Sequence, residues 1–217
     1  MTSASELSNL IKKNSGNLLD IIDIENIRTW VRLNRNLQQV NAGEDPDFQE
    51  AYRKFFGIGG VGMNKAFVKR YFEILEEVKS NEELDLRHIV LNLMKDQVRR
   101  KLSLSQFSAV TKMANLINAD FPIYDSHISE LYEFDKPTSP KMDNRERLNI
   151  YLTQYQQQVD VFNEILNQDM IHDTMVVFKI LLKRYHNEEF PSYDLPKMKK
   201  MDFILSAIPR TDYRLVT

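Results

Sequence analysis

The chain has 217 residues, of which 42% are hydrophobic and 28% charged, with a formal net charge of -2 at pH 7. That is enough apolar material for a sizeable core, and the near-neutral balance confines any nucleic-acid surface to a local patch. The absence of cysteine excludes disulfides, thiolate nucleophiles, iron–sulfur clusters and cysteine-based zinc sites, and it suits a reducing cytoplasm.

Apolar residues recur at three- and four-residue spacings and glycine is scarce, which predicts an all-α chain. Leu7, Leu10 and Ile11 open a short first helix. Leu18 to Val40 reads as one long helix, with Ile24, Ile27, Trp30 and Val31 facing inward. Phe48 to Phe56 is short, and Lys65 to Val78 carries Phe67, Val68, Tyr71, Phe72 and Leu75 on one face. Leu86 to Val98 and Ser103 to Ile117 follow. A short helix runs from Asp125 to about Phe134, and Lys136 to Asp143, with two prolines, is a loop. Asn144 to Ile165, Asp169 to Tyr185 and Leu195 to Ala207 complete the set. Within them Gln154 to Gln158 is polar and reads as a solvated helix face. Helices of this length with short connections predict a globular helical fold in one domain, residues 1–217, rather than an elongated bundle.

No apolar run approaches the ~20 residues of a membrane span. The longest candidate, Met175 to Leu182, is interrupted by Lys179, and Met1 to Lys13 has no signal-peptide core. Four scattered histidines form no HxxxH or HxH pair, so neither metal nor cofactor is expected. The expectation is a soluble, cytoplasmic monomer, because no long apolar stripe is left once the core is assigned.

Two segments carry possible chemistry. Gly57 to Lys65 holds four of the six glycines and opens onto a helix. It fits neither a Walker loop, for want of GK[ST], nor a dinucleotide fingerprint, for want of a preceding strand. It reads either as an interhelical turn or as a loop against a DNA backbone or a substrate pocket, helped by Lys65, Lys69 and Arg70. The second segment is Lys95 to Asp125. Arg99, Arg100 and Lys101 end one helix, and Ser103, Ser105 and Gln106 begin the next. Cations at a helix C-terminus and Ser at an N-cap are ordinary helix chemistry. The same groups also suit a phosphodiester. Asp125, just after Pro122-Ile123-Tyr124, reads as a helix N-cap or as a catalytic carboxylate.

The stretch from Lys101 to Ile128 resembles the helix-hairpin-helix DNA glycosylase superfamily. Those enzymes carry an LPGVG-type hairpin, then a helix, then a P-V-D-x-H/N-V element with the catalytic Asp. Leu102-Ser103-Leu104-Ser105 falls on the P-G-V-G of the hairpin, and Pro122 to Ile128 falls on the catalytic element. The distance between hairpin and Asp carries the resemblance. More loosely, Tyr52 to Leu75 and Lys197 to Ile208 resemble stretches of small bacterial proteins with an equivalent PIYDS element. Both hairpin glycines are serine here, so the hairpin is degenerate. Phe107 stands where bifunctional members carry a Schiff-base lysine.

The resemblance implies a two-lobed helical fold, with the hairpin and catalytic element at about 95–130 and the helices of 144–208 packed on it. It implies a monofunctional glycosylase that hydrolyses the N-glycosidic bond of a flipped damaged or modified base, without lyase activity. Asp125 would stabilise the oxocarbenium-like sugar and orient water. Arg99, Arg100, Ser103, Ser105, Gln106, Lys112, His127 and Lys65 would hold duplex DNA, and Tyr52, Phe55, Phe56, Trp30 and Tyr124 are the candidate walls of a base pocket. Base-excision repair and defence against modified foreign DNA both fit. Two other classes stay open: a DNA-binding module that lost the chemistry, and a helical protein-interaction domain in which Asp125 is only a cap.

Overall fold

The computed structural model describes residues 2–59, 63–95, 101–184 and 195–208, with backbone only for Leu18 and Leu19. Every regular element among the described residues is helical. In chain order they are α1 (Ala4–Asn14), a 3₁₀ turn (Ser15–Asn17), α2 (Leu18–Ile21), α3 (Ile24–Leu37), α4 (Pro46–Phe56) and α5 (Lys65–Val78). Then come α6 (Leu86–Met94), α7 (Leu104–Ile117), α8 (Ser126–Leu131), α9 (Asn144–Asn167), α10 (His172–Arg184) and α11 (Lys197–Ala207). No helix among the described residues is long and apolar enough to cross a membrane.

Local side-chain chemistry sets most of the starts. Ser3, Ser103 and Asp143 each close a capping box with a Glu or Gln three residues on. Asp23, Asp45, Asn64, Asp85 and Asp125 accept first-turn amides directly. Each such cap contributes about 1 kcal/mol relative to alanine. The cap at Asp23 also explains a departure from the sequence expectation. Leu18 to Val40 is not one helix, because Asp23 is extended (ψ 107°) and its carboxylate takes the amide of Glu25 at 2.9 Å. The chain therefore restarts at Ile24, although the apolar spacing runs through the break.

One apolar core runs from Ala4 to Ile208. Its centre is α7, buried on nearly every side, with Gln106, Ser108, Thr111 and Asn115 buried beside its apolar residues. Helices α3, α6 and α9 pack around it, and α9 also receives α1 and α11. The segment before α9 is tied to the start of α7. Lys101 Nζ donates to the carbonyls of Pro140 and Met142, and Leu102 N donates to Asn144 Oδ1 at 2.8 Å. Arg147 donates to the carbonyls of Pro137 and Ser139.

Helix α8 closes with Glu133 at φ 52°, and Phe134 N reaches back to Ser129 O at 3.0 Å. A left-handed residue with a Cβ costs about 1–2 kcal/mol, partly offset in glycine by its chain entropy. Glu133→Gly is therefore expected to stabilise the fold by up to about 1 kcal/mol. A urea melt would show a higher midpoint at unchanged slope; a lower midpoint would contradict the assignment of strain to this residue.

Candidate functional site

Asp125 lies at the mouth of α8, half-buried, with extended backbone (φ -142°, ψ -168°). Its Oδ1 accepts from His127 N at 2.9 Å and Ile128 N at 3.2 Å. Both cap bonds use the same oxygen, so Oδ2 takes no part in the cap. The residue is an N-cap, and capping leaves one carboxylate oxygen over for other work.

The loop that delivers it is held by polar side chains from three helices. Phe121 O accepts from Asn115 Nδ2 of α7 at 2.7 Å. Pro122 has no N–H to satisfy. Ile123 N donates to Asp202 Oδ1 of α11 at 3.2 Å, and Ile123 O accepts from Gln158 Nε2 of α9 at 2.9 Å. Tyr124 N donates to Thr111 Oγ1 at 3.1 Å, and its carbonyl lies 3.2 Å from the same hydroxyl. The Tyr124 hydroxyl donates to Gln154 Oε1 at 2.7 Å, while Gln154 Nε2 donates to Asp135 O.

Lys112, on the third turn of α7, brings the two segments of interest together. Its Nζ donates to Phe56 O at 2.9 Å, the last residue of α4 and the doorway of the glycine-rich loop. Burial pulls the ammonium below its ordinary pKa, and the charge of Asp125 opposes that shift. The lysine, the carboxylate and the end of α4 therefore share one electrostatic neighbourhood. Gly57 (φ 67°) ends α4 in the left-handed region, and Gly59 (φ 100°) lies under Arg53, whose Nη2 would be 3.1 Å from an added Cβ. The loop needs glycine at both places.

The other candidates fall into different surroundings. Ser103 caps α7 in a box with Gln106, whose side chain is buried, and Ser105 Oγ lies 2.9 Å from Ser103 Oγ. Lys65 is exposed at the first position of α5, and His127 is half-buried in the first turn of α8. Arg70 does not add a spare cation beside the loop, because it pairs with Glu77 at 2.9 Å and Glu73 at 3.3 Å. Arg99 and Arg100 lie outside the described residues.

Four of the five pocket candidates are core residues. Tyr52 is fully buried among Phe56, Tyr71 and Phe72, with its hydroxyl 2.5 Å from that of Tyr71. Phe56 is buried beside it. Trp30 donates to Asn115 Oδ1 at 3.2 Å from within the core. The Tyr124 ring is buried edge-on to Phe107, and burial pushes its hydroxyl up to about 12. In a helical domain of this size such rings are the largest apolar units available, and the core takes them first. Phe55 alone is half-buried, edge-on to Phe56 at 4.7 Å. Phe107 is fully buried and stacks on Tyr151 at 5.2 Å, so no amine stands at that position.

Thr111, Asn115, Gln154, Gln158, Lys199 and Asp202 were not legible as site residues. Gln154 and Gln158 are not part of a solvated face; both are buried, while Gln156 between them is exposed. Their four-residue spacing puts them on one side of α9, where they reach Tyr124 and Ile123. The faint signal for the pair on α11 is a Lys and an Asp at i and i+3 among apolar residues of a short helix. No family model, no curated protein and no solved structure matches this chain.

Proposed function

We propose that the chain is a monofunctional DNA glycosylase, hydrolysing the N-glycosidic bond of a damaged or modified base extruded from duplex DNA. The observation that supports it best is Asp125: a half-buried carboxylate whose Oδ1 is fixed by two amides and whose Oδ2 is outside the cap, on a loop where Ile123 and Tyr124 have N–H and C=O both paired. Base departure builds positive charge on the sugar. A carboxylate fixed beside C1′ stabilises that charge and orients the attacking water. A fixed oxygen does this without reorganising when the charge appears.

Lys112 beside it keeps the local field from being purely negative, and its Nζ is engaged with Phe56 O rather than offered as a nucleophile. With Phe107 in the core, a Schiff-base route has no amine at its customary place, so hydrolysis without strand scission is the expected chemistry. Helices α6 and α7 then form the degenerate hairpin of a two-lobed fold. Ser103, Ser105, His127, Lys65, Arg99 and Arg100 are the proposed phosphate contacts, and Phe55, half-buried, is the proposed ring for an extruded base. The enzyme would work as a cytoplasmic monomer without a cofactor, in repair or against modified foreign DNA.

The closed packing of Trp30, Tyr52, Phe56 and Tyr124 favours a second reading, a DNA-binding module with no base pocket. Mass spectrometry of bases released from duplexes with deaminated, alkylated, oxidised and phage-type hypermodified bases separates the two, run beside duplex binding at low salt, where phosphate contacts are strongest. Free base from at least one duplex is the expected result. Binding without release selects the module, and neither binding nor release leaves an interaction domain.

A further inference from the structure

We infer that Lys199 and Asp202 of α11 are positioning residues for Asp125, acting through the backbone of Phe121 to Ile123. The inference rests on the glycosylase assignment of Asp125, and it concerns residues that no contact with substrate would reveal.

The two side chains are 2% and 7% exposed, with Nζ 3.5 Å from Asp202 Oδ2. Each atom of the pair leads toward the loop. Asp202 Oδ1 takes Ile123 N at 3.2 Å, and Oδ2 takes Asn115 Nδ2 at 2.8 Å. Lys199 Nζ donates to Asn115 Oδ1 at 2.6 Å. The same amide gives its Nδ2 to Phe121 O at 2.7 Å and takes Trp30 Nε1 at 3.2 Å, so both its donors and both its acceptor sites are used. The ammonium lies 5.0 Å from the centre of the Trp30 ring and 4.7 Å from that of Phe203, which offer it their faces.

A buried ion pair is poor value as a stabiliser, since desolvation cancels most of its attraction and apolar residues of like volume do as well. Its use here is geometric. Ile123 N would otherwise be a partly buried donor without this acceptor, two residues before Asp125. Ile123 N and Asn115 Nδ2 sit on different oxygens of Asp202, so the observed arrangement uses two acceptor oxygens. An ionised carboxylate holds both, and Lys199 supplies the charge that keeps it ionised in the core. Burial raises the Asp202 carboxyl to about 6 and lowers the Lys199 ammonium to about 8, so both are charged at neutral pH. The loop that carries Asp125 is thereby fixed in three dimensions by a charge pair far along the chain. Displacing a reacting group by 1 Å can cost on the order of 10²-fold in rate.

The test uses the full chain with the pair replaced as a unit, Lys199→Met with Asp202→Ala, which removes both charges and leaves no orphan ion. Two things are read: amide hydrogen exchange in the free protein, and single-turnover base release from a duplex with one 7-methylguanine, a cationic base that leaves readily. The expected result is at least tenfold loss of protection at Ile123, Tyr124, His127 and Ile128, with Phe162 and Ile165 in α9 unchanged. Release slows at least tenfold while duplex Kd stays within twofold. Lys199→Met with Asp202→Asn restores an acceptor for Ile123 N but not the second one for Asn115 Nδ2, and recovers part of both losses. Wild-type protection of the loop amides in the Ala variant, equal behaviour of the Ala and Asn variants, or a parallel loss of binding and rate would each overturn the inference. If the wild-type chain releases no base from this duplex, the substrate assignment fails, and the exchange arm still decides whether the pair grips the loop.

Discussion

Asp125→Asn is expected to lower base release by at least ~10²–10³-fold while the fold and duplex binding survive. The substitution separates the two duties of the residue. Asparagine is as good an N-cap as aspartate, so His127 N and Ile128 N keep their acceptor. What disappears is the negative charge, and with it the stabilisation of a cationic sugar. Asp125→Ala is the complementary control. It removes the cap as well and adds a stability loss of about 1 kcal/mol. Loss of the carboxylate also removes the one influence that holds the Lys112 ammonium up against burial, so its pKa should fall further in the Asn variant. Single-turnover release, a urea melt and a lysine titration by NMR read the three effects. Full activity in Asp125→Asn would reduce the residue to a cap.

The second large effect lies on α11. Lys199→Met alone is expected to cost about 3–5 kcal/mol, because it strands the Asp202 charge in the core. Replacing both residues by apolar ones is expected to cost less, about 1–3 kcal/mol, because no charge is stranded but Ile123 N loses its acceptor. The pair also leaves a signature in the pH dependence of stability. The folded Asp202 carboxyl is raised, so its contribution is full below about pH 4 and is lost as pH rises to about 6. The folded Lys199 ammonium is lowered, so its contribution is full above about pH 10 and is lost as pH falls through about 8. Between about 6 and 8 both groups are charged and their joint contribution is smallest. Chemical denaturation from pH 4 to 10 should show this trough in the wild-type chain and its absence in the apolar pair variant. A single variant as stable as the wild-type chain would contradict a buried, charged pair.

The parts of the structure that were legible beforehand are those with local causes. Helix α5 spans Lys65–Val78, as its apolar face and its Asn64 cap require. Ser103 starts α7 and Asp125 starts α8 by the same chemistry. The break at Asp23 was hidden because an Asp inside an apolar-periodic run fits a solvated helix position as well as a cap. The support of Asp125 was hidden for a different reason. Thr111, Asn115, Gln158 and Asp202 all bond to backbone groups of the loop, and a backbone amide leaves no mark on the sequence. Of these, Gln158 alone reads from the sequence as part of a solvated face, and packing turns it inward. The aromatic candidates erred in the same way. Tyr52 and Trp30 carry the right ring chemistry for a base, but ring chemistry does not distinguish a pocket wall from a core wall.

We propose that the chain hydrolyses a glycosidic bond through Asp125 without an amine nucleophile. It is tested most directly by a single-turnover reaction of the wild-type chain on the modified duplexes, resolving free base, intact abasic strand and cleaved strand, with borohydride present in a parallel tube. The predicted result is free base in equal amount to an intact abasic strand, with no protein trapped on DNA. A borohydride-trapped adduct, or no free base from any duplex at saturating protein, would contradict it.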